Sequence, residues 1–340
     1  MTNPFPEQYG PRVPGPEATF VTPTELRAVF SKDFRTPLLA AWNLSVERQL
    51  GSDWVLRVAY IGNKATYFFA AAENGREINP AIYIPGQSTV ANTQARRFYQ
   101  NFSRIGLYES SNNSNYNSVQ LNAEKRFGKG LSVLANYTFS KKFDDYGWTT
   151  PDNRRFDYGL SREDVPHNLK FSNVWQIPRM RVNRVLDKLI DGWMLNSIVT
   201  WQSGFPFSIS SGRDNSFTGI NRDRADFLGG NADLGSDRPH GEMVARYFDT
   251  SKFVANAEGT FGTSGKNMLR GPRYFNTDFA LLKVTNVTER MSLQFRAEFF
   301  NIFNNVNFNA PNTNRSSNQF GQITSALDPR ILQFGLKLLF

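Results

Sequence analysis

The sequence predicts an all-β protein, a transmembrane antiparallel β-barrel, from three observations. Apolar and polar residues alternate with period two through nine segments. The connections between these segments are alternately short and long. The chain closes on Phe340, in phase with the apolar face of the last segment. Helical periodicity is scarce, and no apolar run reaches the about 18 residues that suggest a membrane-spanning helix.

Composition agrees with a folded protein and excludes several classes of site. The 340 residues are 40% hydrophobic and 20% charged, unlike a disordered or fibrous chain. Cysteine is absent and histidine occurs twice, which excludes disulfide scaffolds and cysteine- or multi-histidine metal centres. The net charge of +9 is spread along the chain without a nucleic-acid motif. We therefore expect no cofactor and no nucleic-acid partner.

The alternation is clearest at 131–141, where one face carries Leu, Val, Ala, Tyr and Phe and the other is almost entirely Ser, Asn and Thr. Segments 291–299 and 332–340 repeat it. Each segment is near or slightly above the about 9–11 residues that a tilted strand needs to cross a bilayer. The nine predicted strands are roughly 38–50, 53–63, 115–127, 130–143, 165–178, 190–203, 272–286, 289–303 and 330–340.

Connection length supports a barrel in the outer membrane. The short connections are Gly51-Ser52, Gly128-Lys129 and a turn near Val287-Thr288, with a moderate link at 179–189. An outer-membrane barrel has tight periplasmic turns at one rim and long extracellular loops at the other, whereas a soluble sandwich has no reason to sort its loops. The long connections are 64–114, 144–164, 212–271 and 304–329.

Aromatic residues near strand ends fit the girdles expected at the two membrane interfaces. Ordinary aromatics of a soluble sheet are the alternative, because a soluble barrel would turn the same polar face to solvent. The residues concerned are Trp42, Trp54, Tyr60, Tyr137, Phe139, Trp175, Trp193 and Trp201.

The last strand suggests the orientation of the chain. An exposed strand with Phe334, Leu336, Leu338 and Phe340 on one face would promote aggregation, whereas in a barrel it would pair with the first strand. A periplasmic C-terminus then makes every long loop extracellular. We expect a Pro-rich extracellular loop segment at 1–37 and the barrel at 38–340. Because nine is odd, the barrel is expected to be incomplete.

Several long segments resemble the C-terminal barrel portion of Oar-like TonB-dependent receptors of the acidobacterial type. The likeness also covers 40–63 and 115–145, and thus most of the chain. The matching segments are Phe156–Pro178 (FDYGLSREDVPHNLKFSNVWQIP), Leu189–Ser208 (LIDGWMLNSIVTWQSGFPFS), Gly262–Phe308 (GTSGKNMLRGPRYFNTDFALLKVTNVTERMSLQFRAEFFNIFNNVNF) and Phe320–Phe340 (FGQITSALDPRILQFGLKLLF).

This resemblance implies a 22-stranded barrel, an N-terminal plug and a TonB box, of which the chain holds only about nine or ten strands. We therefore expect a fragment or truncated product that reaches the TonB complex only through the missing N-terminal part. The other implied partners are outer-membrane lipid, lipopolysaccharide and the barrel assembly machinery. That machinery reads the family's C-terminal aromatic strand, here Phe334, Leu336, Leu338 and Phe340.

The predicted function is uptake of an unidentified ligand across the outer membrane of a Gram-negative bacterium, without enzymatic activity. A stand-alone porin-like or adhesin-like barrel is one alternative, and an outer-membrane hydrolase is another. The best candidates to contact a plug or a passing ligand are the polar residues predicted to face the lumen, although they could simply be solvated. They are Gln294, Arg296, Glu298, Asn196, Asn136 and Lys337.

Two further motifs contain residue types that occur in chemical sites. His167 could form a hydrolase dyad with Asp144 or Asp145, but no nucleophile motif accompanies it, so a structural hydrogen bond at the rim is expected. The loop 221–240 holds four aspartates that could bind Ca²⁺. Its spacing is not that of an EF-hand, and interleaved arginines favour ion pairs within the loop. No metal site is therefore expected.

Overall fold

The computed structural model describes residues 22–70, 75–128, 130–178 and 190–340. The predicted link at 179–189 and most of the predicted loop segment at 1–37 lie outside these residues. The longer strands of the described ranges are β1 (Thr24–Phe30), β2 (Leu38–Leu50), β3 (Trp54–Ala70), β4 (Phe102–Gly128), β5 (Leu131–Asp144), β6 (His167–Gln176), β7 (Trp193–Gln202), β8 (Tyr274–Asn286), β9 (Ser292–Phe300) and β10 (Ile331–Leu339).

The remaining regular elements lie in the long connections. Helix α1 spans His240–Ala245. None of the helical segments within the described ranges has the length and apolarity that a bilayer crossing needs. The short strands are Arg76–Glu77, Gly159–Leu160, Pro206–Phe207, Asp226–Phe227, Phe253–Val254 and Leu269–Arg270, and single 3₁₀ turns lie at Gln94–Arg96, Arg154–Asp157 and Thr250–Lys252.

Strands β2 to β10 form one antiparallel meander in which each strand pairs with the next along the chain. All nine predicted strands are confirmed. The short connections 51–53, 129–130 and 287–291 lie at one end of the sheet, which we call the turn end; β6 ends and β7 begins at the same end. The long connections lie at the opposite end, which we call the loop end. At the turn end Gly192 has a φ of +81°, and a Cβ there would lie 2.2 Å from the Val284 carbonyl oxygen. Only glycine fits this turn.

The structure differs from the predicted loop at 64–114. Strand β3 continues to Ala70 and β4 begins at Phe102, so this hairpin extends well beyond its neighbours. The extension is Ser- and Asn-rich and lacks apolar alternation, yet its backbone groups still pair across the ladder. Strand β1, inside the predicted loop segment 1–37, pairs in parallel with the start of β4. Backbone pairing, which sequence pattern does not report, decides both cases.

The pairing register assigns residues to two faces of the sheet. One row crosses four strands through Asn136, Lys170, Thr200 and Asn276, each directly opposite the next. Directly opposite residues share a face, so we call this the polar face. The neighbouring residues in the same strands, such as Leu169, lie on the other side, which we call the apolar face.

The sheet is open. Every residue of β2 and of β10 is exposed, and within the described ranges these two strands end the order of pairing instead of joining one another. The predicted pairing of the last strand with the first is therefore not made within this chain. At the β2 edge the Trp42 ring lies over Gly62, where a Cβ would come 2.3 Å from the indole nitrogen. This glycine makes room for the aromatic ring.

The buried apolar cluster lies outside the sheet. We call residues 75–101, 145–166, 203–273 and 301–330 the loop assembly. Its centre holds two aromatic rings, Phe248 and Phe253, each 1% exposed and 5.7 Å apart in an edge-to-face pair. The full set of buried residues is Ile209, Ala225, Ala232, Phe248, Phe253 and Leu269.

Candidate functional site: the polar face and its loop end

The structure brings all six predicted polar candidates to the same face of the sheet. Gln294 lies opposite Lys337 on β10, and Glu298 lies opposite Ala280, which in turn lies opposite Asn196. Asn136 lies opposite Asn122 and Lys170 in the polar row described above. Their contact with a plug or a ligand stays a prediction.

Hydrogen bonds and an ion pair link side chains along this face. Asn122 donates from Nδ2 to Oδ1 of Asn136 at 2.5 Å. Arg296 and Glu298, two residues apart on β9, form an ion pair of 2.5 Å in which the arginine side chain is 54% exposed. Since exposed pairs contribute little to stability, this pair leaves the arginine available to a partner.

The eight aromatic residues predicted as girdles all lie on the apolar face. Trp54, Trp175 and Trp193 lie at the turn end of β3, β6 and β7. Of the others, Trp42, Phe139 and Trp201 lie in the half of their strands nearer the loop end, and Tyr60 and Tyr137 lie close to mid-strand. The two rows are separated along the strands, which is the arrangement of interface girdles on an outer-membrane barrel. The loop-end row consists of Trp42, Tyr60, Tyr137, Phe139 and Trp201.

His167 belongs to the loop-end aromatic row. Its Nδ1 lies 2.7 Å from the hydroxyl of Tyr137, and its ring lies 6.0 Å from that of Trp201. Asp144 is on the opposite face, bound to Lys266, and Asp145 is bound to Arg154. The geometry supports the structural interpretation of this histidine and does not assemble a dyad with either aspartate.

The aspartate-rich loop 221–240 is bound into the loop assembly. Asp223 accepts hydrogen bonds from the Ser216 backbone and hydroxyl at 2.7 and 2.8 Å and from Asn256 at 3.1 Å. Burial, as the largest cause, raises the pKa of the Asp223 carboxyl. Among the described residues no three acidic or histidine side chains form a group that could hold a metal ion.

The arginines of this loop differ from the expectation of ion pairs within it. Arg224 pairs with Asp157 at 3.2 Å, both side chains being 6% exposed, and its guanidinium lies 3.9 Å from the centre of the Phe156 ring. Arg238 donates to the carbonyl oxygens of Arg246 and Tyr247. The arginines therefore tie separate segments together, because tertiary packing brings Asp157 closer than the aspartates next to them in sequence.

A cleft of about 470 Å³ opens where the polar face meets the loop assembly. Sequence analysis missed it, because its walls include the extended β3–β4 hairpin that was assigned to a loop. The Asn/Ser run at 110–118 was the available signal. We call it the mouth cleft; it is lined by Phe68, Phe69, Asn112, Asn113, Ser114, Lys142, Asp144, Tyr146, Ser161, Arg162 and Glu163.

Comparison with known proteins identifies the family to which the chain belongs. A family model described as outer membrane beta barrel domain matches residues 1–333. The chain belongs to this outer membrane β-barrel family. The family places the protein in the outer membrane and agrees with the two faces described above. A comparison with curated proteins gives no match.

Solved outer-membrane transporters resemble this β-barrel chain in fold. The transporter YddB from Escherichia coli superposes with a TM-score of 0.50 at 9% identity, over 93% of this chain and 34% of that protein. The ferric-catecholate import receptor Fiu from E. coli gives 0.45 at 11% identity, over 91% and 28%. The ferric yersiniabactin uptake receptor FyuA from Yersinia pestis gives 0.44 at 12% identity, over 89% and 30%.

The chain spans about a third of the length of the transporters it matches. At these identities the likeness concerns the fold alone. The protein is thus an outer membrane β-barrel whose fold resembles that of a solved outer membrane transporter.

Proposed function

We propose that this chain is the barrel portion of an Oar-like TonB-dependent transporter that takes up a ligand across the outer membrane. The observation that carries the proposal is the pair of faces that the register defines. A polar face crosses nine strands, and the opposite face is apolar with aromatic rows near both ends. This is the cross-section of a barrel wall between lipid and a wet interior.

The open sheet supports a larger barrel. Strands β2 and β10 each present an unpaired edge, and a lipid-exposed edge is not tolerated in the hydrocarbon region. Further strands beside these edges would close the wall. In the 22-stranded pattern of the family, the nine strands here make up about two-fifths of it.

The six polar candidates would then contact a plug or a passing ligand. Arg296, half exposed beside Glu298, is the best placed cation among them. The TonB complex would act through a plug and TonB box N-terminal to this segment. The apolar strand that ends at Phe340 would be recognised by the assembly machinery, with the C-terminus in the periplasm and lipopolysaccharide around the loop end.

Size and location test the proposal first. An antibody against loop 212–271 is used to blot separated inner and outer membranes. A band well above 38.7 kDa in the outer membrane is expected. A 38.7 kDa band there would favour a stand-alone barrel, closed by pairing of the open edges between copies. A band in the soluble fraction alone would contradict the proposal.

Orientation is tested by thiol labelling, because the chain has no cysteine of its own. Leu228, 63% exposed in the loop assembly, and Ser52, in the turn between β2 and β3, are replaced singly by cysteine. A membrane-impermeant maleimide applied to intact cells should label Leu228→Cys and leave Ser52→Cys unlabelled until the cells are opened. The reverse pattern would contradict the proposal that the turn end of the sheet lies in the periplasm.

A further inference from the structure

The mouth cleft has the construction of a ligand-binding site at the loop end of the polar face. Phe68 and Phe69, 41% and 49% exposed, lie on the β3 arm, and Tyr146, 43% exposed, follows β5. Its volume of about 470 Å³ falls in the range of about 300–1,000 Å³ typical of small-molecule sites. Exposed aromatic rings around a concave surface are typical of such sites rather than of a solvated loop.

Asn112 is the second observation. Its side chain is 2% exposed, lines the cleft and lies opposite Phe68 in the register. Neither its Oδ1 nor its Nδ2 has a hydrogen-bond partner in the protein. A buried amide left unpaired on both sides is unfavourable, so the site gains from any group that both donates and accepts at that point. A hydroxyl does both.

Three of the four charged residues that line the cleft are paired with one another or with the loop assembly, and the fourth, Arg162, is exposed. Lys142 and Glu163 form an ion pair of 2.5 Å. Asp144 is bound by Lys266, and Asn113 donates to Asp145 at 2.9 Å. A cationic ligand would have to break these pairs, and an anionic ligand would have only the exposed Arg162. A neutral ligand would keep them and use the aromatic rings and the amide.

We propose that the mouth cleft binds a neutral polyhydroxylated ligand of the carbohydrate class. Its C–H faces would pack on Phe68 and Phe69, and a pair of hydroxyl groups would satisfy Asn112. This inference rests on the proposed function for its biological meaning, since a receptor would meet its ligand at the loop end. Binding itself depends only on the cleft.

The test is saturation-transfer NMR on the full chain, reconstituted in a detergent without a sugar headgroup. The probes are maltose and cellobiose, with citrate as the charged comparison. Saturation transfer to at least one disaccharide and none to citrate is expected. Asn112→Leu should weaken that binding at least tenfold, because it removes the amide that the hydroxyl groups would bind. The chain should stay folded, because the substitution removes an unpaired polar group from a buried position. Phe68→Ala, at a half-exposed position, should weaken it as well.

Asn286→Leu is the matched control, since Asn286 lies on the same face at the turn end and should leave binding unchanged. Absence of transfer to both disaccharides, binding of citrate instead, or equal binding by Asn112→Leu would each overturn the inference. These outcomes are independent of the blot and labelling experiments. If the protein binds a disaccharide through Asn112 but is found outside the outer membrane, the proposed function is wrong. The assignment of the cleft as a carbohydrate site is then still supported.

Discussion

The sheet and the loop assembly differ in how far their apolar side chains are buried within the protein. In the loop assembly Phe248 and Phe253 are each 1% exposed within a closed cluster. In the sheet Phe334 and Leu336 are 65% and 69% exposed. The loop assembly thus carries its own apolar core, whereas the apolar face of the sheet depends on surrounding lipid. Stability of the two regions should therefore respond to different variables.

Buried polar contacts join the two regions. Asp164 of the loop assembly, 1% exposed, accepts a hydrogen bond from the backbone N–H of Lys142 on β5 at 2.6 Å. Lys266 is bound to Asp144 at the end of β5. These contacts attach the loops to the end of the sheet. The loop assembly therefore continues the barrel wall.

The largest effect is expected from the centre of the loop assembly. Phe253→Ala should destabilise it by about 3–5 kcal/mol, because the cavity left behind adds to the lost burial. Hydrogen exchange by mass spectrometry should show faster exchange in peptides from 205–270. Phe334→Ala, on the exposed apolar face, is the control and should leave these peptides protected. Equal exchange in both variants would refute the separation of the two regions.

The buried pair of Arg224 and Asp157 should give the next largest effect. Arg224→Met leaves a buried carboxylate without its partner and should cost about 3 kcal/mol. The same exchange measurement reports it, in peptides around 157 and 224. The double variant Arg224→Met/Asp157→Asn should recover part of the loss, since no uncompensated charge remains. A double variant less stable than Arg224→Met would contradict this account.

A third experiment compares the two faces of one strand. Val199 lies on the apolar face of β7 and Thr200 lies on the polar face beside it. Val199→Arg should cost about 2 kcal/mol in a lipid bilayer, because an arginine on the lipid side is destabilising. Thr200→Arg should be tolerated. Urea titrations in liposomes measure both, and an equal cost at the two positions would mean that the faces are misassigned.

The smallest effect concerns pH and the loop assembly alone. Burial raises the pKa of Asp223 above its ordinary value of 3.8. The folded state therefore binds the proton more tightly than the unfolded state, and this contribution is complete below the unfolded pKa and is lost as pH rises through the folded pKa. Protection around 211–226, corrected for intrinsic exchange, should increase between pH 7 and pH 4.

Asp223→Asn should abolish this increase, and Asp237→Asn, at an exposed position of the same loop, should preserve it. An increase that survives in Asp223→Asn would assign the pH dependence to another group. The neighbouring carboxylate of Asp214, which contributes to the raised pKa, is then the next position to replace.

Sequence pattern was sufficient to predict a strand, and the face on which a residue lies, wherever apolar and polar residues alternate. Alternation at 131–141 predicted β5, and the aromatic positions predicted for the girdles all lie on the apolar face. It was insufficient where two segments pair through their backbones but their side chains do not alternate between apolar and polar. The Asn/Ser run that extends β4 has no period-two signal, so the hairpin arm and the mouth cleft beside it were invisible.

The sequence by itself determined the nine strands, their order and the side of each that is apolar, because period-two alternation and connection length are local properties. Tertiary structure alone decided which side chains meet across long separations. Arg224 is bound to Asp157 rather than to an aspartate of its own loop, and Asn112 is left buried and unpaired at the mouth of the polar face. Such contacts depend on how distant loops pack against one another, which no local pattern records.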